Sequence, residues 1–232
     1  MGLLNPIYAA KSSEETALDR YVHNDDGAFH YDVIKVQRFD DVSVYELKLT
    51  SQFWLAEGLV DRVQWDHWLT VIIPDIIESE TGFLFITGGS NKQQSQDSNI
   101  DDFLKISRLS KTVVSRLKQV PNQPLVFENK SGDLYEDALI AYAWNNYLKT
   151  LDPKWLPRLP MVKSAVKAMD AIQDLVNNNL QDSSQSVQKS NRTPKNIKLR
   201  ILDILMKLSS LGPKLGSCEH KWPNKSKRLM MK

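Results

Sequence analysis

Two apolar runs, Trp68–Ile73 and Gly82–Thr87, lie on either side of a polar turn, Pro74–Thr81, and they constrain this chain more than any other feature. Each run is short, rich in Leu, Ile, Val and Phe, and bounded by breakers. A strand covered by helices on both faces reads this way, because no position along it is left for a polar alternate. The second run stops on Thr87-Gly88-Gly89-Ser90-Asn91. Glycines there allow a sharp turn with exposed backbone N–H groups, and α/β folds meet ligands at the carboxyl ends of their strands.

The segments around this pair predict a mixed chain of strands and helices. Phe29–Arg38 and Val42–Thr50 alternate polar and apolar residues, the pattern of antiparallel strands at a half-exposed sheet edge. Thr16–Tyr21 reads as a short helix or turn, and Ser51–Trp68, with its three tryptophans, as a packed loop. Lys92–Ile100 is polar and reads as an exposed loop. Asp101-Asp102 then precede Phe103, Leu104, Ile106 and Leu109 at helical spacing, and acids suit the first turn of a helix. Thr112–Val120 returns to strand character before Pro121 and Pro124. Helices follow over Glu136–Lys149 and Val162–Val176, the second with Val162, Ala165, Val166, Met169, Ile172 and Val176 as its apolar stripe. Strands alternating with helices imply a mainly parallel sheet with helices flanking it.

Beyond Val176 the pattern fails. Residues 177–196 (NNNLQDSSQSVQKSNRTPKN) have the composition of a disordered linker. Residues 197–232 form a basic tail, in which 197–211 has the spacing of an amphipathic helix. From Asn191 onward, eleven Lys/Arg stand against two acids, which leaves 19 basic and 26 acidic residues in the body. A body of −7 and a tail of +9 are thus concealed in the net charge of +2. A parallel sheet that stopped here would expose an apolar strand edge, so self-association through that edge is expected.

Composition excludes several classes. The single cysteine, Cys218, excludes an internal disulfide framework. No run approaches the roughly 20 apolar residues of a transmembrane helix. The tail lacks aromatics spaced for base stacking, which argues against specific nucleic-acid binding. No His, Cys and Asp grouping has zinc-ligand spacing, so neither metal nor cofactor is expected. His67, between Trp65 and Trp68, reads as a structural histidine, and Trp54, Trp65, Trp68 and Trp144 read as core. Asn129, Asn191 and Asn224 head glycosylation sequons, relevant only in an exported protein. Residues 1–15 form a leader or an unstructured start without a basic n-region, so they make no convincing signal peptide, and without one the chain would be cytoplasmic.

Several long stretches carry a resemblance. TALDRYV, LTSQFWL, VDRVQWDHWLTVIIPD, LFITGGSN, LKQVPNQPLVF, EDALIAYAWNNYLKT and RLPMVKSAVKAMDAIQ are similar to segments of the PhoPQ-activated pathogenicity-related proteins, relatives of the amoebal autocrine proliferation repressor protein A. The resemblance runs from Thr16 to about Val176. It implies an α/β-hydrolase-like fold, of which residues 16–176 are the N-terminal half, and an exported protein concerned with proliferation or signalling, with an unidentified protein or peptide partner. It also places Gly88, Gly89, Ser90 and Asn91 where such hydrolases carry an oxyanion-hole loop. Each N–H donor there is worth about 3 kcal/mol to a tetrahedral intermediate. Family members continue into a nucleophile elbow, whereas this chain contains no Gly-x-Ser-x-Gly. The expectation is therefore an incomplete hydrolase-like chain with a ligand-binding loop and no catalytic residue. The alternative is a serine hydrolase or peptidase-like enzyme represented by part of its length.

Overall fold

In a computed structural model of the chain, residues 15–93, 99–186 and 198–201 are described. Side chains are described through residue 178. Residues 1–14, most of the segment read as a leader, lie outside the described residues.

The chain opens with helix α1 (Ala17–His23), whose start is written in the local sequence. Thr16 Oγ1 accepts the Asp19 N–H at 3.2 Å while the Asp19 carboxylate accepts the Thr16 N–H at 2.9 Å, a reciprocal cap for two otherwise orphaned donors. Strand β1 (His30–Arg38) pairs antiparallel with β2 (Val42–Phe53), and β2 pairs antiparallel with β3 (Gln64–Pro74). After β4 (Thr81–Ile86) come α2 (Asp101–Ser110) and β5 (Val114–Leu117), which inserts between β3 and β4. A hairpin of β6 (Leu125–Phe127) and β7 (Lys130–Leu134) leads into α3 (Glu136–Thr150). A 3-10 turn, Pro153–Trp155, precedes the long α4 (Arg158–Ser186), and β8 (Lys198–Ile201) joins the far side of β4.

The six-stranded sheet runs β1-β2-β3-β5-β4-β8, with three antiparallel pairings and two parallel ones. The expected mainly parallel sheet is thus corrected to a mixed one. Its cause is connection length: the few residues between β1 and β2 can return the chain only as a hairpin, whereas a parallel pair needs a long crossover. Only β4–α2–β5 provides one among the first five strands. Covered strands look alike in sequence whether their neighbours run with or against them.

Burial on β3 shows how the layers form. Leu69, Val71 and Ile73 project to one face and pack with Ala168, Ala171, Ile172 and Leu175 of α4. Ile72 projects to the other and packs with Val42, Val44 and Leu104 of α2. Both faces of β3 are therefore dry, as its unbroken apolar run requires. A third cluster, built on Trp54, Trp65, Leu125, Phe127, Leu139 and Trp155, anchors the β6–β7 hairpin and α3 beside the sheet. Trp54 meets Trp65 edge-on, with ring centroids 5.5 Å apart.

Other expectations shift. The 54–63 loop is shorter than the Ser51–Trp68 segment read from the tryptophans, since β2 runs to Phe53 and β3 begins at Gln64. Strand character over Thr112–Val120 contracts to Val114–Leu117. The last helix does not stop at Val176 but runs to Ser186, so the first part of the 177–196 linker is helical. Extending an existing helix carries no nucleation cost, which lets poor helix formers such as Asn and Ser continue it. Residues 187–197 lie outside the described residues. Lys198–Ile201 is strand instead of the expected helix, because an open sheet edge supplies backbone partners that override a local helical period. That strand pairs with Thr81–Leu84, so the β4 edge is occupied over these residues.

Candidate functional site

Strand β4 delivers the chain to Thr87–Asn91 at a point where the topology divides: α2 carries it to β5 on one side of β4, while β8 lies on the other. Crevices at such points are the usual ligand sites of α/β sheets. Gly89 has φ +136°, a conformation that L side chains rarely adopt, and a Cβ there would stand 3.6 Å from Gln119 Cγ. Three carbonyls of the loop accept hydrogen bonds. Val120 N donates to Thr87 O at 3.2 Å, Gln119 N to Gly88 O at 3.1 Å, and Gln119 Nε2 to Ser90 O at 2.7 Å. Asn91 Nδ2 donates to Pro124 O at 2.9 Å, tying the loop to the Pro121–Pro124 segment, whose Val120–Pro121 and Gln123–Pro124 peptides are cis. By contrast, the N–H groups of Gly88, Gly89 and Ser90 donate to no acceptor among the described residues.

The four residues proposed from sequence therefore form one loop. Two more converge on it that the sequence did not reveal. Gln119 (φ +66°) and Glu136 (φ +39°) are non-glycine residues with positive φ, a placement that costs energy and collects at functional sites. Gln119 is buried and its Oε1 has no hydrogen-bond partner. Glu136, exposed at the start of α3, lies with Oε1 4.0 Å from the position a Gly88 Cβ would take. Its N–H is held by Gln123 Oε1 at 2.6 Å. The Lys92 ammonium is paired with Asp133 of β7, which bridges the loop to the hairpin. The only sequence signal for this convergence is the Pro-flanked QVPNQP run, a rigid segment of no obvious destination.

A second polar cluster lies under the sheet. His67 is fully buried, and its Nδ1 faces the carbonyls of Lys118 and Gln119 at 3.2 and 3.1 Å. Two carbonyls demand a donor, so Nδ1 carries the proton and Nε2 accepts from Ser51 Oγ at 2.9 Å. Gln52 Nε2 reaches Ser51 Oγ, Ser164 Oγ and Pro160 O, and Ser164 Oγ donates to Pro160 O. Burial pushes the His67 pKa down to about 4, against the raising influence of the two carbonyls and Asp66. Ser51 is as inaccessible as the imidazole. This is a neutral structural network joining β2, β3 and α4, with no room for a substrate.

Among the described residues no group of three or more His, Cys, Asp or Glu is arranged to hold a metal ion, and no helix is long and apolar enough to cross a membrane. Trp54, Trp65 and Trp68 are buried while Trp144 is exposed. Asn129 lies exposed in the β6–β7 turn; Asn191, Asn224 and Cys218 lie outside the described residues.

Comparison with known proteins bears on this arrangement. Autocrine proliferation repressor protein A of Dictyostelium discoideum is 38% identical over 161 residues, which cover 68% of this chain and 32% of that protein. The chain thus spans about a third of the length of the curated relative it matches. A crystal structure from Bacteroides fragilis, assigned as an acetyl xylan esterase, covers 80% of this chain and 44% of its own with 11% identity and a TM-score of 0.39, a likeness too distant to decide a fold. A model of the PhoPQ-activated pathogenicity-related proteins matches residues 18–187, running past Val176 to the end of α4. By that match, and by its identity to the amoebal protein, this chain belongs to the PhoPQ-activated pathogenicity-related protein family.

Proposed function

We propose that this chain is an α/β-hydrolase-like binding protein whose Gly88–Asn91 loop receives a carbonyl or similar acceptor oxygen without attacking it. The observation that carries this reading is that the N–H groups of Gly88, Gly89 and Ser90, at the end of β4, donate to no acceptor among the described residues. In α/β-hydrolases the oxyanion hole takes one donor from the loop between a parallel strand and the first flanking helix, and its other donor from the nucleophile elbow. The β4–α2 loop stands in that relation to the β4–α2–β5 crossover, while no Gly-x-Ser-x-Gly occurs in the sequence. Treating the purified chain with a fluorophosphonate probe is expected to leave every serine unlabelled. A stoichiometric, serine-specific adduct would overturn the reading in favour of a hydrolase.

The second reading, an enzyme represented by part of its length, is favoured by the one-third coverage of the amoebal relative. It requires an in-frame elbow downstream in the full transcript. Under either reading the family resemblance makes the protein an exported one, and in the first it acts as a regulator. The exposed Asn129-Lys130-Ser131 turn then carries a glycan, because a hairpin tip leaves the asparagine open to the transferase. Protein recovered from the medium of secreting cells is expected to lose mass on endoglycosidase treatment, and Asn129→Gln to lose that part of the shift. A secreted protein unglycosylated at Asn129 contradicts this.

A further inference from the structure

The glycine loop offers donors, but its surroundings are acidic. The Glu136 carboxylate lies beside Gly88, and the Lys92 ammonium is tied to Asp133, with Asp61 near enough to hold its pKa up further. A site built for an anion would place cations against its N–H groups. Here an acceptor carboxylate is presented beside them instead. The position is held deliberately: Glu136 keeps a positive φ, and Gln123 Oε1 fixes its N–H at 2.6 Å. Buried Gln119, also against the loop, donates its Nε2 to Ser90 O, and its Oε1 has no hydrogen-bond partner among the described residues. The loop therefore sets its N–H donors next to a charged oxygen acceptor, the Glu136 carboxylate.

A ligand complementary to both needs an acceptor oxygen and, close beside it, a cationic donor. We infer that the site takes a primary ammonium adjacent to a carbonyl, the chemistry of a free peptide N-terminus: the carbonyl oxygen accepts from the Gly88–Ser90 amides and the ammonium pairs with Glu136. This rests on the carbonyl-binding reading of the loop and adds the class of ligand to it. A carboxylate, phosphate or N-acylated peptide is disfavoured, the first two by charge and the third because it lacks the cation. Glu136 is thus a specificity-determining residue.

The test is titration of the full chain with the amide of a two-alanine peptide and with its N-acetylated form, read through the backbone amide resonances of Gly88, Gly89 and Ser90. The free-amine peptide is expected to shift all three, and acetylation to weaken binding by about tenfold, the scale of one lost charge-assisted contact. Glu136→Gln, which keeps the side-chain shape, is expected to bind both peptides at the weaker level while the rest of the spectrum stays in place. Equal binding of both peptides by the natural chain, or undiminished discrimination by Glu136→Gln, overturns the ammonium assignment and leaves the carbonyl-binding loop standing. If neither peptide moves the three amides, the loop is not a carbonyl site and both readings fall.

Discussion

Replacing Asp26 with asparagine is expected to destabilise the protein by about 3 kcal/mol, because it strands a buried ammonium. Lys163 of α4 is nearly inaccessible, with 2% of its side chain exposed. Its Nζ donates to Asp26 Oδ2 at 2.9 Å and to Asn24 O at 2.7 Å, and it sits 5.5 Å from the centre of the Tyr21 ring. Asp26 also accepts the N–H groups of Ala28 and Phe53. Burial works to raise the pKa of Asp26, but the Lys163 hydrogen bond, the backbone donors and the Lys163 charge outweigh it, so the pKa is lowered. The stabilisation is therefore complete above the ordinary carboxylate value and is lost as pH falls through the lower folded value. The pair fastens α4 to the segment between α1 and β1. Lys163→Met removes the charge together with its desolvation cost, so adding it to Asp26→Asn is expected to restore part of the loss. Urea denaturation at neutral pH measures all three variants. A cost below about 1 kcal/mol for Asp26→Asn would mean that water reaches the ammonium.

Stability is also expected to fall by about 3 kcal/mol between pH 7 and pH 4 on account of His67 alone. Its folded pKa, about 4, lies below the 6.5 of an unperturbed histidine, and desolvation of the fully buried ring is the main cause. Between those values the unfolded chain binds a proton that the folded chain refuses, so stability rises with pH across the window and is lost on acidification. The Asp26 contribution disappears only at lower pH, which separates the two. His67→Gln costs stability at neutral pH by disturbing the Ser51 and Lys118 contacts, but its stability curve should be flatter between pH 6.5 and 4. An unchanged slope in that variant would place the titration elsewhere.

Both groups show where sequence reading stopped. On α4, a helical stripe through Val162, Ala165, Val166 and Met169 places Lys163 on the wet side. In the folded chain Val162 is 39% exposed while Lys163 and Ser164 are buried. Periodicity locates a face only to within the reach of a partner, and here Asp26 and Gln52 provide partners for polar groups on the inner side. His67 was legible as structural from its tryptophan neighbours, but its proton position follows only from two carbonyls more than fifty residues away.

The sequence by itself determined the family, the buried character of β3 and β4, the starts of α2 and α3, and the glycine turn at 88–89. Each of these is a local matter of apolar runs, acids in a first helical turn or backbone freedom, or is carried by long matching stretches. Tertiary structure alone decided the strand directions, the pairing of β8 with β4, and the approach of Gln119 and Glu136 to the loop. Those depend on contacts between residues far apart along the chain. Local propensity assigns no energy to such contacts until the core has closed around them.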